Sequence, residues 1–168
     1  MKIRQGFVTN SSSSSFVVAF PRGFVPTKKA ILDYVFGDRD EVVVHWGEPD
    51  RIPVGRAASA ILGQMKDQKP NDPVELARAL DGAYLPGEPE LPYHENESKE
   101  EQRASFDAYY AEVEAYHRRW WTMNKPKLNP EKMDLYVIDF SDEDGDEGSI
   151  LEHGDTFALV PHLQMSHH

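Results

Sequence analysis

The sequence predicts an α+β fold. We expect a single domain over residues 1–168, in which a small mixed or antiparallel sheet packs with one long and several short helices. Three observations predict it. A chain of 168 residues has the length of one domain. Its 39% hydrophobic and 11% aromatic content is enough for a packed core. Along the chain, short β-branched or aromatic runs are interspersed with segments whose apolar residues recur at helical spacing.

Four short apolar runs predict the strands. They are rich in β-branched or aromatic residues, and such runs are typical of buried strands. The runs are residues 16–20, 41–46, 135–140 and 156–160. No apolar run approaches the roughly 18 residues of a membrane span, so we expect no membrane association.

Capping and proline signals predict the shorter helices. Thr27 precedes a segment with apolar residues at helical spacing, which ends at Gly37. Pro53 opens a second helix, whose apolar residues continue to Met65. Asp72 followed by proline is typical of the start of a third, short helix.

The longest helix is predicted to begin at a capping box formed by Ser98 and Glu101. We expect it to continue to about Met123, before the prolines that follow. Steps of three and four residues place one aromatic stripe on this helix, which we expect to pack on the core. Its members are Phe106, Tyr109, Val113, Tyr116 and Trp120.

Composition limits the classes of function. The chain has no cysteine, which excludes disulfides, thiolate zinc sites and cysteine nucleophiles and fits a cytoplasmic location. The formal charge is -11, although residues 1–30 contain five Lys or Arg residues and no acid. Because phosphate binding needs dense Lys and Arg, the acidic remainder disfavours nucleic acid as a partner. A protein partner with a basic surface, or a metal ion, suits it better.

A run of five serines lies between two apolar segments near the start of the chain. A serine run alone would indicate a flexible linker, but this position favours an ordered turn beside a strand. Serine hydroxyls and main-chain N–H groups are also suited to a phosphate or a docking partner. The candidate binding residues are therefore Asn10, Ser11, Ser12 and Ser13. No G-x-S-x-G elbow or P-loop is present, so neither a serine nucleophile nor a common nucleotide site is indicated.

The residues Gly6-Phe7-Val8-Thr9-Asn10, the serine run and the following phenylalanine form a recognisable opening. It resembles a Gly-Phe-Val-(Ser/Thr)-Asn-poly-Ser-Phe signature at the N-termini of many small uncharacterised bacterial and phage proteins. The Leu-Glu-His-Gly element at 151–154 and the final Ser-His-His are similar to features of the same family. This resemblance implies a bacterial or phage source and brings no assigned activity.

The densest group of metal-type ligands lies in residues 139–155, where acids alternate with glycines. Carboxylates on a bent loop can bind calcium or magnesium, and histidine adds manganese and zinc as candidates. The spacing does not match an EF-hand, because the sixth and twelfth positions from Asp142 hold Glu147 and His153. An acidic turn between two strands is the plainer interpretation. The candidate metal ligands are Asp142, Asp144, Asp146, Glu152 and His153.

Two further groups also have plainer interpretations. A zinc or manganese centre could combine Glu152 and His153 with the later histidines, but their spacing matches no established ligand motif. Residues 117–121 mix cations and aromatics as RNA-binding surfaces do. Cations also favour the C-terminus of a helix, which explains the same residues without a ligand.

The sequence therefore favours a non-enzymatic accessory protein that binds another macromolecule through an acidic surface. Strong acidity and the lack of a recognisable catalytic set both indicate this. The alternative is a metal-dependent hydrolase, in which an ion held by the 142–153 cluster activates water and a carboxylate or histidine moves protons. The alternative requires those side chains to converge in the folded protein.

Overall fold

A computed structural model describes residues 13–44, 50–74, 76, 85, 87–90, 98–141 and 145–167. Within these ranges the strands are β1 (Ser13–Pro21), β2 (Glu41–Val43), β3 (Arg51–Pro53), β4 (Met133–Ser141) and β5 (His162–His167). The helices are α1 (Lys28–Ile31), α2 (Val54–Met65), α3 (Lys99–Asn124) and α4 (Gly145–His153). A π-helical turn at Leu32–Phe36 extends α1, and a 3-10 turn at Lys125–Leu128 extends α3. The predicted α+β class is confirmed.

The strands form two antiparallel sheets. The larger has the order β4-β1-β5, with β1 in the centre, and β2 pairs with β3 in the smaller one. In the larger sheet Phe16 lies opposite Ile138 of β4 and opposite Gln164 of β5. The sequence predicted a sheet that is either mixed or antiparallel, and both sheets of the structure are antiparallel.

Strand β1 is apolar on both faces because both faces of the large sheet are covered. Phe16, Val18 and Phe20 belong to a core shared with α2, α4 and the smaller sheet. Val17 and Ala19 face the opposite core, which includes residues of α3 and the 3-10 turn. Every residue from 16 to 20 is buried. This two-sided burial accounts for a continuous apolar run where a one-sided strand would alternate.

The predicted helix starts are confirmed. The Thr27 hydroxyl accepts a hydrogen bond from the Ala30 N–H at 3.1 Å, and the chain leaves this helical segment at Gly37. Both halves of the capping box at the start of α3 are formed by Ser98 and Glu101. Hydrogen bonds from the Ser98 hydroxyl and N–H lower the pKa of the Glu101 carboxyl.

The aromatic stripe of α3 is only partly buried. Phe106 is exposed, and the helix buries His117 and Trp121 most completely, one position beyond the predicted Tyr116 and Trp120. Sequence spacing located the correct side of the helix but could not identify a buried histidine. A buried partner explains it, because His117 Nε2 lies 2.9 Å from the Glu88 carboxylate.

The strand predicted at residues 156–160 is wrong. These residues form two successive turns, closed by Ala158 N–H to Asp155 C=O at 3.2 Å and Val160 N–H to Phe157 C=O at 3.1 Å. The segment is apolar because Phe157 fills the core against Phe16, at a ring-centroid distance of 5.1 Å. The place beside β1 belongs to β5, which follows directly.

None of the helices that the described ranges contain is both long enough and apolar enough to cross a bilayer.

Candidate functional site

The serine run enters the large sheet. Ser13 begins β1, where it lies opposite Ser141 and His167, and the two serines after it continue the strand. Asn10, Ser11 and Ser12 lie outside the described residues. The described serines are therefore part of a central strand, and the binding role of Asn10–Ser13 stays a prediction.

The acidic segment folds as a helix where the sequence favoured a turn between strands, so that interpretation is wrong. Gly145 has a φ of 80°, a conformation that glycine adopts without strain, and α4 begins there. Asp146 and Glu147 occupy the first turn, where carboxylates stabilise the positive end of the helix dipole. Ile150 and Leu151 then attach the helix to the core.

The predicted metal ligands divide into separate positions. Asp146 is exposed at the start of α4, whereas Glu152 is buried near its end, with 1% of its surface exposed. At 100° per residue these two side chains leave the helix in different directions. Asp142 and Asp144 lie outside the described residues. Among the residues that are described, no three His, Cys, Asp or Glu side chains form a group that could hold a metal ion.

Glu152 belongs to a buried polar network that connects α4 to the large sheet. The Ser14 hydroxyl donates to Glu152 Oε1 at 3.2 Å, and His153 Nε2 lies 3.6 Å from Oε2. The Gln164 amide donates to Ser14 Oγ at 3.3 Å and to the Glu152 carbonyl at 3.2 Å. Ser14 is 2% exposed, whereas a serine nucleophile needs access to substrate as well as an adjacent base. The described contacts hold α4 against the large sheet.

A second set of contacts positions the smaller sheet against the end of α4. Arg39 donates to the Asp155 carbonyl at 2.8 Å and pairs with its carboxylate. The same carboxylate accepts from the Val43 N–H at 3.0 Å. Gly154 lies in close contact with β2 at this point. As a result α4 and the β2–β3 sheet form two walls of a cleft.

This space, called here the α4 cleft, consists of two hollows that share Asp50, Asp146 and Ile150. The larger has a volume of about 640 Å³ and the smaller about 230 Å³. Charged side chains and the buried side chains of Val44, Ile52 and Ile150 line the cleft together. The larger hollow is lined by Asp50, Arg51, Ile52, Arg56, Asp146, Glu147 and Ile150. The smaller is lined by Val44, Asp50, Asp146, Ser149, Ile150 and His153.

Some charged side chains of the α4 cleft have an ionic partner among the described residues and others do not. Arg51 contacts Glu41 at 3.1 Å, and Arg56 pairs with Glu147. Asp50 and Asp146 face the same space, and no hydrogen bond or ion pair reaches either carboxylate from the ranges that the structure describes. The two arginines of the larger hollow are therefore paired, whereas Asp50 and Asp146 are exposed and have no ionic partner among the described residues.

Sequence reasoning identified Asp146 and His153 of this cleft but missed Asp50, Arg51 and Arg56. No local pattern marks these three residues, because they become neighbours of α4 only through packing. Comparisons of the chain with protein-family models, curated proteins and solved structures give no match. A function must therefore be inferred from the chemistry of the residues.

Proposed function

We propose that this chain is a non-enzymatic accessory protein, of bacterial or phage source, that binds a partner protein by accepting a basic side chain in the α4 cleft. One observation carries the proposal. Asp50 and Asp146 line one space, and neither carboxylate is paired with a cation of the described residues, because the arginines beside them contact Glu41 and Glu147. A lysine or arginine from a partner would supply the missing positive charge.

The cleft also offers a small apolar surface to the stem of such a side chain. Ile52 and Ile150 line it and are 5% and 7% exposed. Lysine and arginine lay their methylene groups along apolar surface and keep the charged head in a polar environment. The carboxylates of Asp50 and Asp146, which no other described residue neutralises, line the same space. The shape of the cleft and its charge thus favour the same ligand chemistry.

The charge of the whole chain supports a basic protein partner. A formal charge of -11 attracts positively charged surfaces over long range and raises the association rate at low salt. The same charge repels nucleic acid. We propose a cytoplasmic location, which the absence of cysteine favours.

The test is a titration with small capped peptides. Acetyl-Gly-Arg-Gly-amide and its lysine counterpart are added to the labelled protein, and the backbone NMR shifts of Ser149 and Ile150 are followed. Citrulline and norleucine peptides are neutral controls of similar shape. Exposed ion pairs contribute up to about 1 kcal/mol each, so Asp50→Asn with Asp146→Asn is expected to weaken binding roughly three- to tenfold.

A matched control distinguishes the cleft from general acidity. Asp107→Asn with Glu112→Gln removes the same charge from two exposed positions of α3 and is expected to leave binding nearly unchanged. If the neutral peptides bind as well as the basic ones, or the control weakens binding as much as the cleft variant, the proposal is wrong.

The alternative of a metal-dependent hydrolase has narrower support. Asp146 and His153 line the smaller hollow, so a carboxylate and an imidazole face one space. Asp50 lines the same hollow, but no three described side chains form a group that could hold a metal ion. Of the other ligands that the sequence predicts, Asp142 and Asp144 would have to contribute, since Glu152 is buried below the helix. Thermal unfolding in EDTA and in calcium, magnesium, manganese or zinc tests it, with Asp144→Asn plus Asp146→Asn as the control. A saturable rise in Tm that the variant loses would favour the metal site, and a flat response would exclude it.

A further inference from the structure

The two edge strands of the large sheet differ in how far other described residues cover them. On β4, main-chain groups of alternate residues point away from β1, and side chains cover two of these positions. The Gln64 amide bonds both the N–H and the C=O of Asp139. Asn71 bonds the Leu135 carbonyl with its main-chain N–H at 2.7 Å and with its side-chain amide at 3.3 Å. Side chains on an edge prevent another strand from pairing there.

On β5 no other described residue bonds the corresponding positions. Ala19 N–H donates to the Pro161 carbonyl at 3.0 Å, and the register continues through Val17 opposite Leu163. In an antiparallel pair alternate residues bond the neighbour, so the main chains of His162, Gln164 and Ser166 point away from β1. In the part of the chain that the structure describes, no hydrogen bond joins these main-chain groups to another segment.

We infer that β5 pairs with β5 of a second copy of this chain, antiparallel and about a two-fold axis at Gln164. In this register Gln164 lies opposite its own copy, and His162 lies opposite Ser166. The three outward residues of each strand supply up to about six main-chain hydrogen bonds across the axis. The product is a continuous six-stranded sheet.

The charge pattern favours a second copy at this edge. The chain carries -11 overall, yet residues 162–166 contain no Asp, Glu, Lys or Arg. Two copies can therefore meet along this strip without placing like charges opposite each other, which elsewhere on an acidic surface would oppose association. Leu163 and Met165 belong to the core beneath the strand, and pairing would bring this apolar strip beside its symmetry copy.

The test compares two substitutions at one position by sedimentation equilibrium, from about 10 μM to about 1 mM protein, a range suited to weak edge pairing. Gln164→Ala keeps the outward N–H but loses the side-chain amide, whereas Gln164→Pro loses both. Proline is tolerated on an edge strand where its N position faces outward. We expect the wild type and Gln164→Ala to dimerise and Gln164→Pro to be at least tenfold weaker. A monomeric wild type, or a dimer that Gln164→Pro leaves unchanged, would overturn the inference.

Amide hydrogen exchange of the wild type gives a second readout that does not depend on how well the proline variant folds. The N–H groups of His162, Gln164 and Ser166 are expected to gain protection as concentration rises, while that of Val137 on β4 stays unchanged. Protection at these residues that is independent of concentration, or that appears only when a different protein is added, would exclude a second copy as the occupant.

Discussion

Gly154 occupies a narrow space, and replacing it with alanine should destabilise the protein. An added Cβ would overlap the Ile150 carbonyl oxygen, and it would lie 2.9 Å from Val42 Cγ1 and 3.3 Å from the Val43 carbonyl oxygen. Its backbone conformation is not the limit, because its φ is not among the positive values. The constraint is the close approach of the end of α4 to β2.

The magnitude follows from what would have to move. Two of the three contacted atoms are main-chain oxygens, and both take part in hydrogen bonds, Gly154 N–H to Ile150 C=O at 2.8 Å and Asp155 N–H to Val43 C=O at 3.2 Å. Overpacking of this kind costs about 1–3 kcal/mol. For a chain of this size we expect a decrease in Tm of about 2–12 °C.

The same substitution at Gly63 should have the opposite sign. Gly63 lies within α2 on its exposed side, and a Cβ there would meet no atom within 4 Å. Alanine in a helix interior is favoured over glycine by about 0.5–1 kcal/mol. We therefore expect Gly63→Ala to raise Tm by about 1–4 °C.

Thermal and urea unfolding of both variants, followed by far-UV circular dichroism, measures the two free-energy changes. A neutral or stabilising Gly154→Ala would refute the close packing of α4 on β2, and with it the wall of the α4 cleft. If both alanines destabilised the protein equally, the distinction between filled and open space at these sites would be wrong.

Three further predictions concern polar groups. Ser98→Ala should cost about 0.5–2 kcal/mol of unfolding free energy through the lost cap. Because the folded-state pKa of Glu101 is lowered from 4.5, its contribution to the free energy of unfolding is present above the unfolded-state pKa and is lost as pH falls through the folded-state pKa. Amide exchange in the first turn of α3 should show this loss of stability in the wild type but not in Glu101→Gln. Burial, and then the charge of Asp134, raise the pKa of Tyr136 above 10.0. Its contribution to the free energy of unfolding is therefore complete below the unfolded-state pKa and is lost as pH rises towards the folded-state pKa. The urea midpoint of Tyr136→Phe should fall less than that of the wild type above about pH 10. Glu88→Ala leaves the buried ring of His117 without its acceptor and should cost about 1–3 kcal/mol in urea unfolding, whereas Glu88→Gln keeps an acceptor oxygen and should cost less.

Local signals predicted much of the secondary structure. The Thr27 and Ser98 caps act within four residues, so the sequence alone places the starts of both helices. The run at residues 16–20 is buried on both faces, and its continuous apolarity indicates a central strand.

The errors occurred where local pattern and tertiary role differ. Phe157 made residues 156–160 resemble a strand, but its ring fills the core from a turn. The acidic residues of 145–153 resembled a turn because carboxylates are common there, yet Asp146 and Glu147 stabilise the first turn of a helix. His117 was not expected in the core, because its partner Glu88 lies on a separate segment.

The amino-acid sequence by itself determined the α+β class, the capped helices, the central apolar strand and the net negative charge, because each depends on composition or on neighbours within a few residues. Only the tertiary structure decided that Asp50 and Asp146 share one cleft, that Glu152 is buried beneath α4, and that other described residues cover the edge of β4 but not that of β5. These are relations between residues far apart in the chain. They arise when the apolar faces of the helices and sheets pack, and that packing sets which polar groups meet.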